Sequence, residues 1–414
     1  MNHISTPTTS FERRKFLVGT RKSQLALAQT ELAISELRIR NPDVDYEIIP
    51  VSTSGDKILD IALSKFNDKG LFTKELEDKL YSKEVDFVVH SLKDVPSQMP
   101  NNLILGCIFN RISPNDVILM NKNQRGKTID QLAPGSQIGS SAVRRVATLK
   151  RLYPHLNFVN IRGNLNTRLA KLDGTFQYKN GDQVTYDAII VAEAGVRRLG
   201  WDARIDQIFS DLPYGVGQGA LACECRQDDE QTLALLSSIH CEASALTSIA
   251  ERSLMRTLDG GCSTPLAVRS LPHPGSNKKL RYIALTATVS SIDGKKQVQQ
   301  SMATNLPFQL AGKRKLGEKK QGYQGPWTVI DEELTEDQQQ QVNNPKNVFL
   351  GLTVQPMCHI ARTRLVKAMQ LGHELAEKIK GEGAQEILIE AKEIASKSGR
   401  VNAADFPQLL SSSS

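Results

Sequence analysis

The sequence predicts an α/β protein of more than one domain, and three observations support this class. Short apolar runs alternate with helical patterns through the first half of the chain, which is typical of βαβ units and largely parallel sheets. The 414 residues are too many for one ordinary core, so two or three domains are expected. The composition, 40% hydrophobic and 23% charged, is that of an ordinary globular protein.

The first α/β region contains a short buried strand that ends in polar residues. The predicted elements of this region are strand 16–18, helix 23–40, strand 46–51, helix 74–80 and strand 87–89. Pro96 disfavours regular structure after the last of these strands. Lys93 and Asp94 are therefore expected to leave its carboxyl end, which is where open α/β sheets bind ligands.

A second region of the same style is predicted to be inserted into the first. Its predicted elements are strands 117–119, 136–138, 158–161 and 188–191 and helices 142–152 and 167–172. A glycine-rich connection, 212–219, then leads into an apolar run that is expected to return to the first sheet as a strand. The predicted domains are 1–111 plus 212–235, then 112–211, then 236–414.

The third region differs in composition from the first two. A helix at 243–258, a strand at 282–289 and a helix at 361–380 are predicted there. The stretch 312–347 is rich in Lys, Glu, Gln and Gly and is expected to be a mobile surface insertion, because it buries little apolar area. Residues 56–70 form another loose stretch, for which a role as a lid is a hypothesis.

The compartment is inferred from the termini and the cysteines. The polar N-terminal residues contain no apolar signal core, and no apolar run is long enough to span a bilayer, so a cytoplasmic protein without membrane attachment is expected. The six cysteines form no CxxC pair and no Cys/His metal spacing, so no metal site is expected. Free thiols in a reducing compartment fit this pattern best.

Basic residues recur in the first helical turn after a predicted strand. This arrangement occurs at 19–23, 139–145 and 161–168, and Arg197-Arg198 adds a fourth candidate. A helix N-terminus already carries partial positive charge, so each cation there costs about 0.3–1 kcal/mol. Any single pair is more often a solvated basic face. Their joint occurrence at like positions instead predicts an anion site built from backbone amides and guanidinium groups.

The nature of the anion follows from the arrangement of the basic residues. The net charge of +7 suits nucleic acid, phosphates or carboxylates. There is no GxxxxGK[ST] loop, and the glycine cluster at 215–219 leads toward a strand rather than a helix. Aromatic residues make up 5% of the chain and the arginines lie on separate turns, which argues against nucleic acid. Several planar carboxylates on one ligand match dispersed arginines better.

Two residues are candidates for the chemistry itself. Asp94 beside Lys93 can hold charge toward a reacting cation or pass a proton, although a solvated Lys-Asp pair is the alternative. Cys262 lies in a loop of Gly, Ser and Thr, from which a thiol can reach a cleft and form a covalent bond. An incidental loop cysteine is the alternative there, and His90 is interpreted as structural.

Six motifs, taken together and in order, resemble the porphobilinogen deaminase (hydroxymethylbilane synthase) family. They are Gly-Thr-Arg-Lys-Ser-Gln-Leu-Ala at 19–26, His-Ser-Leu-Lys-Asp-Val-Pro at 90–96, Gly-Ser-Ser-Ala-Val-Arg-Arg at 139–145, Ile-Arg-Gly-Asn-Leu-Asn-Thr-Arg at 161–168, Gly-Val-Gly-Gln-Gly-Ala-Leu at 215–221 and Leu-Asp-Gly-Gly-Cys-Ser-Thr-Pro at 258–265. The resemblance spans about residues 15 to 300, with a looser match in the C-terminal helix region.

The resemblance implies an α/β fold of three domains and a specific reaction. The first two domains would be like periplasmic binding proteins around a cleft, and the third would be a smaller α+β domain. The implied enzyme is a monomeric transferase of tetrapyrrole (haem) biosynthesis. It condenses four porphobilinogen molecules head to tail into hydroxymethylbilane, with release of ammonia, on a dipyrromethane cofactor held by a thioether.

Residue roles also follow from the resemblance. Asp94 matches the catalytic aspartate and Cys262 the cofactor-attachment position. The positions that match cofactor- and substrate-binding residues are Arg21, Ser23, Lys93, Arg144, Arg145, Arg162, Arg168, Arg198 and, in the glycine-rich motif, Gln218. The alternative from another class is a non-enzymatic two-lobed anion-binding protein, which would need neither Asp94 nor Cys262.

Overall fold

Three β-sheets with packed helices make up the part of the chain that the structure describes. The computed structural model describes residue 13 and residues 15–53, 73–178, 184–259, 264–274, 280–307, 328–330, 334–354 and 358–398. Two five-stranded sheets and one four-stranded sheet are formed there. This confirms the α/β class with two sheet-rich domains and a smaller third one. The proposed lid, 56–70, lies outside the described residues.

The first sheet has the strand order β2-β1-β3-β10-β4. Its elements are β1 Lys15–Arg21, α1 Gln24–Arg40, β2 Asp45–Val51, α2 Lys74–Tyr81, β3 Phe87–Ser91, β4 Leu103–Phe109, β10 Leu221–Arg226 and α6 Glu230–Ser237. β1 pairs in parallel with β2 and β3, whereas β10 runs antiparallel between β3 and β4. The predicted parallel character therefore holds for all strands but the inserted β10.

The second sheet repeats this topology, with the order β7-β6-β8-β5-β9. Its elements are β5 Asp116–Met120, β6 Gln137–Gly139, α3 Val143–Leu152, β7 Asn157–Val159, α4 Leu165–Leu172, β8 Ala188–Ala192, α5 Glu193–Arg198 and β9 Gln207–Phe209. Here β5 is the antiparallel strand, between β8 and β9. Each lobe thus receives its reversed strand directly from one of two crossover segments, 110–115 and 210–220.

The third domain is an antiparallel sheet with helices packed against it. Its elements are α7 Glu242–Thr257, β11 Leu266–Pro274, β12 Leu280–Ser290, β13 Gln297–Asn305, β14 Thr328–Ile330, α8 Glu336–Asn343, α9 His359–Ile379 and α10 Gln385–Ser398. The strands follow the order β11-β12-β13-β14, and α9 packs along α7 over most of its length. A single large apolar cluster joins these helices to the sheet.

The structure differs from the sequence prediction over part of the insertion 312–347. β14 pairs in parallel with β13, and α8 begins with a reciprocal capping box between Thr335 and Gln338. Val342 on α8 is fully buried, and its carbonyl accepts a hydrogen bond from Arg362 Nε at 2.5 Å. One buried apolar residue, its carbonyl's bond to Arg362 and a capping box are enough to dock this polar helix. The remainder of the insertion lies outside the described residues.

A strap that follows this helix ties the third domain to the first sheet. Leu105 on the edge strand β4 donates its N–H to Gly351 O at 2.7 Å, and Thr353 N–H donates to Leu105 O at 3.0 Å. Phe349 beside them is fully buried. The strap, residues 347–354, therefore covers a sheet edge that would otherwise expose unpaired backbone groups.

No single helix of the described chain combines the length and low polarity that a bilayer crossing needs. The consecutive helices α6 and α7 meet that criterion only as a pair, and they are bent by 109° to each other.

The close approach of α7 and α9 depends on Gly372, and this can be tested. A Cβ added at Gly372 would collide with Ala250 O and lie 2.7 Å from Leu254 N. We expect Gly372→Ala to lower the free energy of unfolding by about 1–3 kcal/mol, because the rigid helix backbone must move. Chemical denaturation monitored by circular dichroism measures this.

Gly381→Ala is the matched control, because a Cβ added there meets nothing within 4 Å. We expect its stability to be unchanged or raised by up to about 1 kcal/mol. Equal unfolding midpoints for the two variants would contradict the close packing of α7 on α9.

Candidate active-site cleft

A cleft of about 450 Å³ lies between the first two lobes and takes its walls from both. Its lining is strongly basic, with a single acidic side chain, Asp94, among the described lining residues. The basic lining residues are Arg21, Lys22, Lys93, Arg145, Arg162, Arg168 and Arg198. Such an excess of positive charge in a concave site attracts ligands that carry several negative charges.

Helix N-termini from both lobes face this cleft. α1, α3 and α4 have no acidic residue in the first turn, although acidic residues would stabilise that position. Ser23 caps α1 by accepting from Ala26 N–H, and Asn164 caps α4 by accepting from Thr167 N–H at 2.9 Å. The lining includes residues from the start of each of the three helices. These are the turns at which the sequence predicts an anion site.

Lys93 and Asp94 lie in one turn of 3-10 helix directly after β3. Leu92 N–H donates to Ala220 O at 3.0 Å, which ties this turn to the second crossover segment. Behind it, the buried Arg252 donates to Val95 O at 3.0 Å and to Pro96 O at 2.7 Å. The turn is therefore held on both sides while Asp94 itself is exposed to the cleft.

A buried carboxylate, Asp116, organises the wall of the second lobe. Its Oδ2 accepts from Arg144 Nη1 at 2.7 Å, and its Oδ1 accepts from Arg145 Nη2 at 2.8 Å. Gln218 Nε2 donates to the same Oδ1 at 2.8 Å. These partners hold the pKa of Asp116 well below its usual range, despite the opposing effect of burial. The carboxylate stays ionised and offsets part of the charge of the adjacent arginines.

Backbone carbonyls hold two of the other arginines. Arg168 Nε donates to Gly163 O at 2.8 Å. Arg198 Nη2 donates to Asn110 O at 3.0 Å and Gly219 O at 2.8 Å, and so joins the two crossover segments. Burial lowers the pKa of each guanidinium to about 10, and the pKa of Arg168 is lowered further by Arg145 and Arg162. The depressed pKa values reflect cations held close together in a partly dry site.

Lys93 has the most strongly perturbed amine of the cleft. Burial lowers its pKa to about 8, and Arg145 and Arg144 add to this effect, whereas Asp94 and Asp116 oppose it. A neighbouring anion would restore the pKa toward its ordinary value, because opposite charges favour the protonated form. Binding of a carboxylate next to Lys93 therefore stabilises its protonated form.

The structure brings most of the predicted site residues together, but not all of them. Those that line the cleft are Arg21, Ser23, Lys93, Asp94, Arg145, Arg162, Arg168 and Arg198. Arg144 and Gln218 do not line it. Arg144 faces Asp116 and Gln218 Oε1, and Gln218 is 1% exposed. Cys262 lies outside the described residues.

Sequence reasoning missed Asp116 and a second buried carboxylate, Glu251. Glu251 on α7 accepts from Arg111 at 2.8 Å, from Gly217 N–H at 2.8 Å and from Ser270 Oγ at 2.6 Å. Asp116 directly precedes a predicted strand and Glu251 lies within a predicted helix, and nothing near Glu251 in the sequence indicates its partners. An unpaired acidic residue at the start of an apolar strand, as at Asp116, is the one clue that the sequence offers.

The remaining titratable groups do not suggest a metal centre. No group of three or more His, Cys, Asp or Glu side chains with ligand geometry occurs in the described ranges. His90 lies in a buried pair with Glu224, with 2.9 Å between Nε2 and Oε2, in the middle of the first sheet. This is the structural position that the sequence suggested for it.

Comparison with protein families finds two matching models. Residues 16–234 match "Porphobilinogen deaminase, dipyromethane cofactor binding domain", and residues 245–320 match "Porphobilinogen deaminase, C-terminal domain". A porphobilinogen deaminase of Nostoc sp. is 44% identical over 305 residues, which is 72% of this chain and 89% of that protein. The one of Dictyostelium discoideum is 41% identical over 295 residues, 70% of this chain and 88% of the relative.

Two of the solved structures with partial similarity are a periplasmic binding protein and a domain of BvgS. The Escherichia coli aliphatic sulphonate binding protein SsuA overlaps 60% of this chain and 76% of its own, with 14% identity and a TM-score of 0.31. The VFT2 domain of Bordetella pertussis BvgS overlaps 55% and 86%, with 16% identity and a TM-score of 0.31. At scores this low the overlap supports no conclusion about this chain.

The lowered pKa of Lys93 predicts a pH dependence of anion binding. The amine is protonated below about pH 8 and loses its charge as the pH rises through that value. We expect the Kd for a small dicarboxylate such as succinate, measured by calorimetry, to rise roughly tenfold between pH 7 and pH 9.

Lys93→Arg is the matched control, because a guanidinium stays charged over this range. Its affinity for succinate should change little between the two pH values. A wild-type Kd that is flat across the range would contradict the assignment of Lys93 as an anion-binding cation.

Proposed function

The chain belongs to the porphobilinogen deaminase family, and we propose how its cleft carries out the reaction of that family. The enzyme condenses four porphobilinogen molecules head to tail into hydroxymethylbilane, with loss of ammonia at each addition, in tetrapyrrole biosynthesis. The observation that carries the assignment of roles is the position of Asp94. It is the acidic side chain in a cleft walled by basic residues of two lobes.

The cleft suits the dipyrromethane cofactor of this family. Each pyrrole ring carries two carboxylates, and the lining offers several cations for them. Among the described residues, the buried Nε atoms of Arg145 and Arg198 have no hydrogen-bond partner, so the protein leaves part of the hydrogen-bonding capacity of these two lining residues unused. When bound, the cofactor, itself two joined pyrroles, supplies the end to which the first substrate ring is added. We propose Cys262 as its attachment point.

Binding of the cofactor and substrate carboxylates is assigned to the lining residues. We propose that the amides and cations at 21–23 and 162–168 grip the acidic side chains of successive rings from opposite walls. Further carboxylates along the cleft are bound, in this proposal, by Arg145, Arg198 and Lys93. The proposed set is Arg21, Ser23, Lys93, Arg145, Arg162, Arg168 and Arg198. Arg144 and Gln218, which do not line the cleft, are proposed to contribute through their contacts with Asp116.

Asp94 is proposed as the catalytic residue. Loss of ammonia from porphobilinogen leaves a cationic, electron-poor methylene pyrrole. A fixed carboxylate stabilises this cation and accepts or returns protons at the ring nitrogen and the leaving amine. Asp94 is suited to both tasks, because its turn is anchored by Ala220 and Arg252 while the carboxylate is exposed to the cleft. The cations of Lys93 and Arg168 lie within electrostatic reach of its carboxylate.

The remaining assignments are also proposals. We place the domain boundaries at 111/112, 211/212 and 235/236, which is supported by the strand memberships of β5 and β10.

We propose a cytoplasmic monomer that binds neither membranes nor nucleic acid. The free thiols of Cys107 and Cys223, which face each other on paired strands, suit a reducing compartment. The non-enzymatic alternative is not favoured, because it leaves Asp94 and the family relationship unexplained.

The role of Asp94 is tested by Asp94→Asn, which keeps the size of the side chain and removes its charge. We expect kcat to fall by roughly 10²–10⁴-fold, because the variant can neither stabilise the cation nor take a proton. Porphobilinogen consumption measures this, with cofactor content checked by intact mass.

Asp228→Asn provides the comparison for charge loss alone, since Asp228 is exposed in the same domain and does not line the cleft. It should turn over at the wild-type rate. Wild-type turnover by Asp94→Asn would exclude Asp94 as the catalytic residue.

The attachment of the cofactor is tested by Cys262→Ala. We expect this variant to purify at the mass of the bare polypeptide and to give no colour reaction for pyrroles after denaturation. Active wild-type protein should be heavier by the mass of the cofactor. Cys241→Ala, which replaces a cysteine at the start of α7, should keep the extra mass. An active wild-type preparation with an unmodified mass would refute the covalent attachment.

A further inference from the structure

Asp116 occupies an unusual position behind the cleft. It is the first residue of β5, is 7% exposed and does not line the cleft. Two guanidinium groups and one amide donate to its two oxygens. A buried carboxylate with three such donors is fixed in place, and it fixes its partners in turn.

Arg145 is the partner through which Asp116 reaches the cleft. Its Nη2 donates to Asp116 Oδ1 at 2.8 Å and its Nη1 to Ile190 O at 3.2 Å. These two bonds set the plane of the guanidinium. The Nε of Arg145 is buried and lacks a partner, and the side chain lines the cleft. The bond to Asp116 thus sets the orientation in which the Arg145 side chain lines the cleft.

Gln218 connects the same carboxylate to both crossover segments. Its Nε2 donates to Pro114 O at 2.6 Å as well as to Asp116 Oδ1, and its Oε1 accepts from Arg144 Nη2 at 3.0 Å. Gln218 itself belongs to the second crossover segment, whereas Pro114 belongs to the first. α3, β5 and the two connections between the lobes therefore meet at Asp116.

We propose that Asp116 is a positioning residue for binding of substrate carboxylates. It holds Arg145 in the wall of the cleft and, through Arg144 and Gln218, fixes that wall relative to the segments that join the lobes. The inference rests on the proposed function and deepens it, because it names a residue that acts on the substrate through Arg145.

The test is Asp116→Asn, assayed with porphobilinogen on the complete, cofactor-loaded chain. The amide NH₂ of asparagine would oppose the guanidinium donors and release Arg145 from its orientation. We expect KM to rise about 10–100-fold while kcat stays within about threefold, because the lost contact is made equally to the ground state and the transition state.

Asp206→Asn is the matched control for loss of a buried carboxylate in the same lobe. Asp206 accepts from Met120 N–H at 2.8 Å and Gly126 N–H at 2.9 Å, and it pairs with Arg125 at 3.1 Å, but it does not line the cleft. Its replacement should lower the melting temperature without moving KM. The contrast in KM between the two variants separates positioning from stability.

The proposal is overturned if Asp116→Asn lowers the melting temperature yet keeps the wild-type KM, as the control does. If Asp116→Asn fails to fold, Asp116→Glu is measured in its place, since it keeps the charge but moves it by one methylene. A raised KM supports the proposal and an unchanged KM overturns it. Turnover by the wild type and by Asp206→Asn shows that the proposed function stands even when the role of Asp116 fails. Absence of wild-type turnover rejects both.

Discussion

Repulsion between like charges is the constraint that shapes the centre of this molecule. Seven basic side chains share one cleft, and two unit charges 4 Å apart interact with about 4 kcal/mol at an effective dielectric constant of 20. The protein lowers this cost with Asp116 and with carbonyl groups that hold Arg145, Arg168 and Arg198. Burial lowers the pKa of Lys93, and the neighbouring Arg145 and Arg144 lower it further. A polyacidic ligand offsets the repulsion between these cations, so affinity for such ligands is built into the cleft.

The three domains also meet at a second buried carboxylate, Glu251. Glu251 on α7 accepts from Arg111 at the first crossover segment and from Gly217 N–H in the second. It also accepts from Ser270 on β11. The third domain, whose sequence includes Cys262, therefore contacts both crossover segments through Glu251. Any change in the angle between the lobes has to be accommodated at Glu251.

The sequence revealed local features well and long-range ones poorly. Periodicity predicted α1 and α4 to within two residues at each end, because the signals for a helix lie within a few residues of each other. The fully buried β4 was missed, since a run without alternation resembles several structures. Arg144 and Arg145 are adjacent and look equivalent, yet one faces Asp116 and the other also faces the cleft. That distinction depends on contacts 28 and 29 residues away in the chain, which no local pattern encodes.

The reversed strand β10 has a consequence for how the chain is made. It lies between β3 and β4, so the first sheet has a gap at its centre until residue 226 has emerged from the ribosome. The second lobe needs only contiguous chain, from β5 to β9, and can fold before its predecessor is complete. Until β10 has been synthesised, β3 and β4 each expose an unpaired apolar edge. Synthesis through residues 110–220 is thus the interval in which a nascent chain most needs a chaperone.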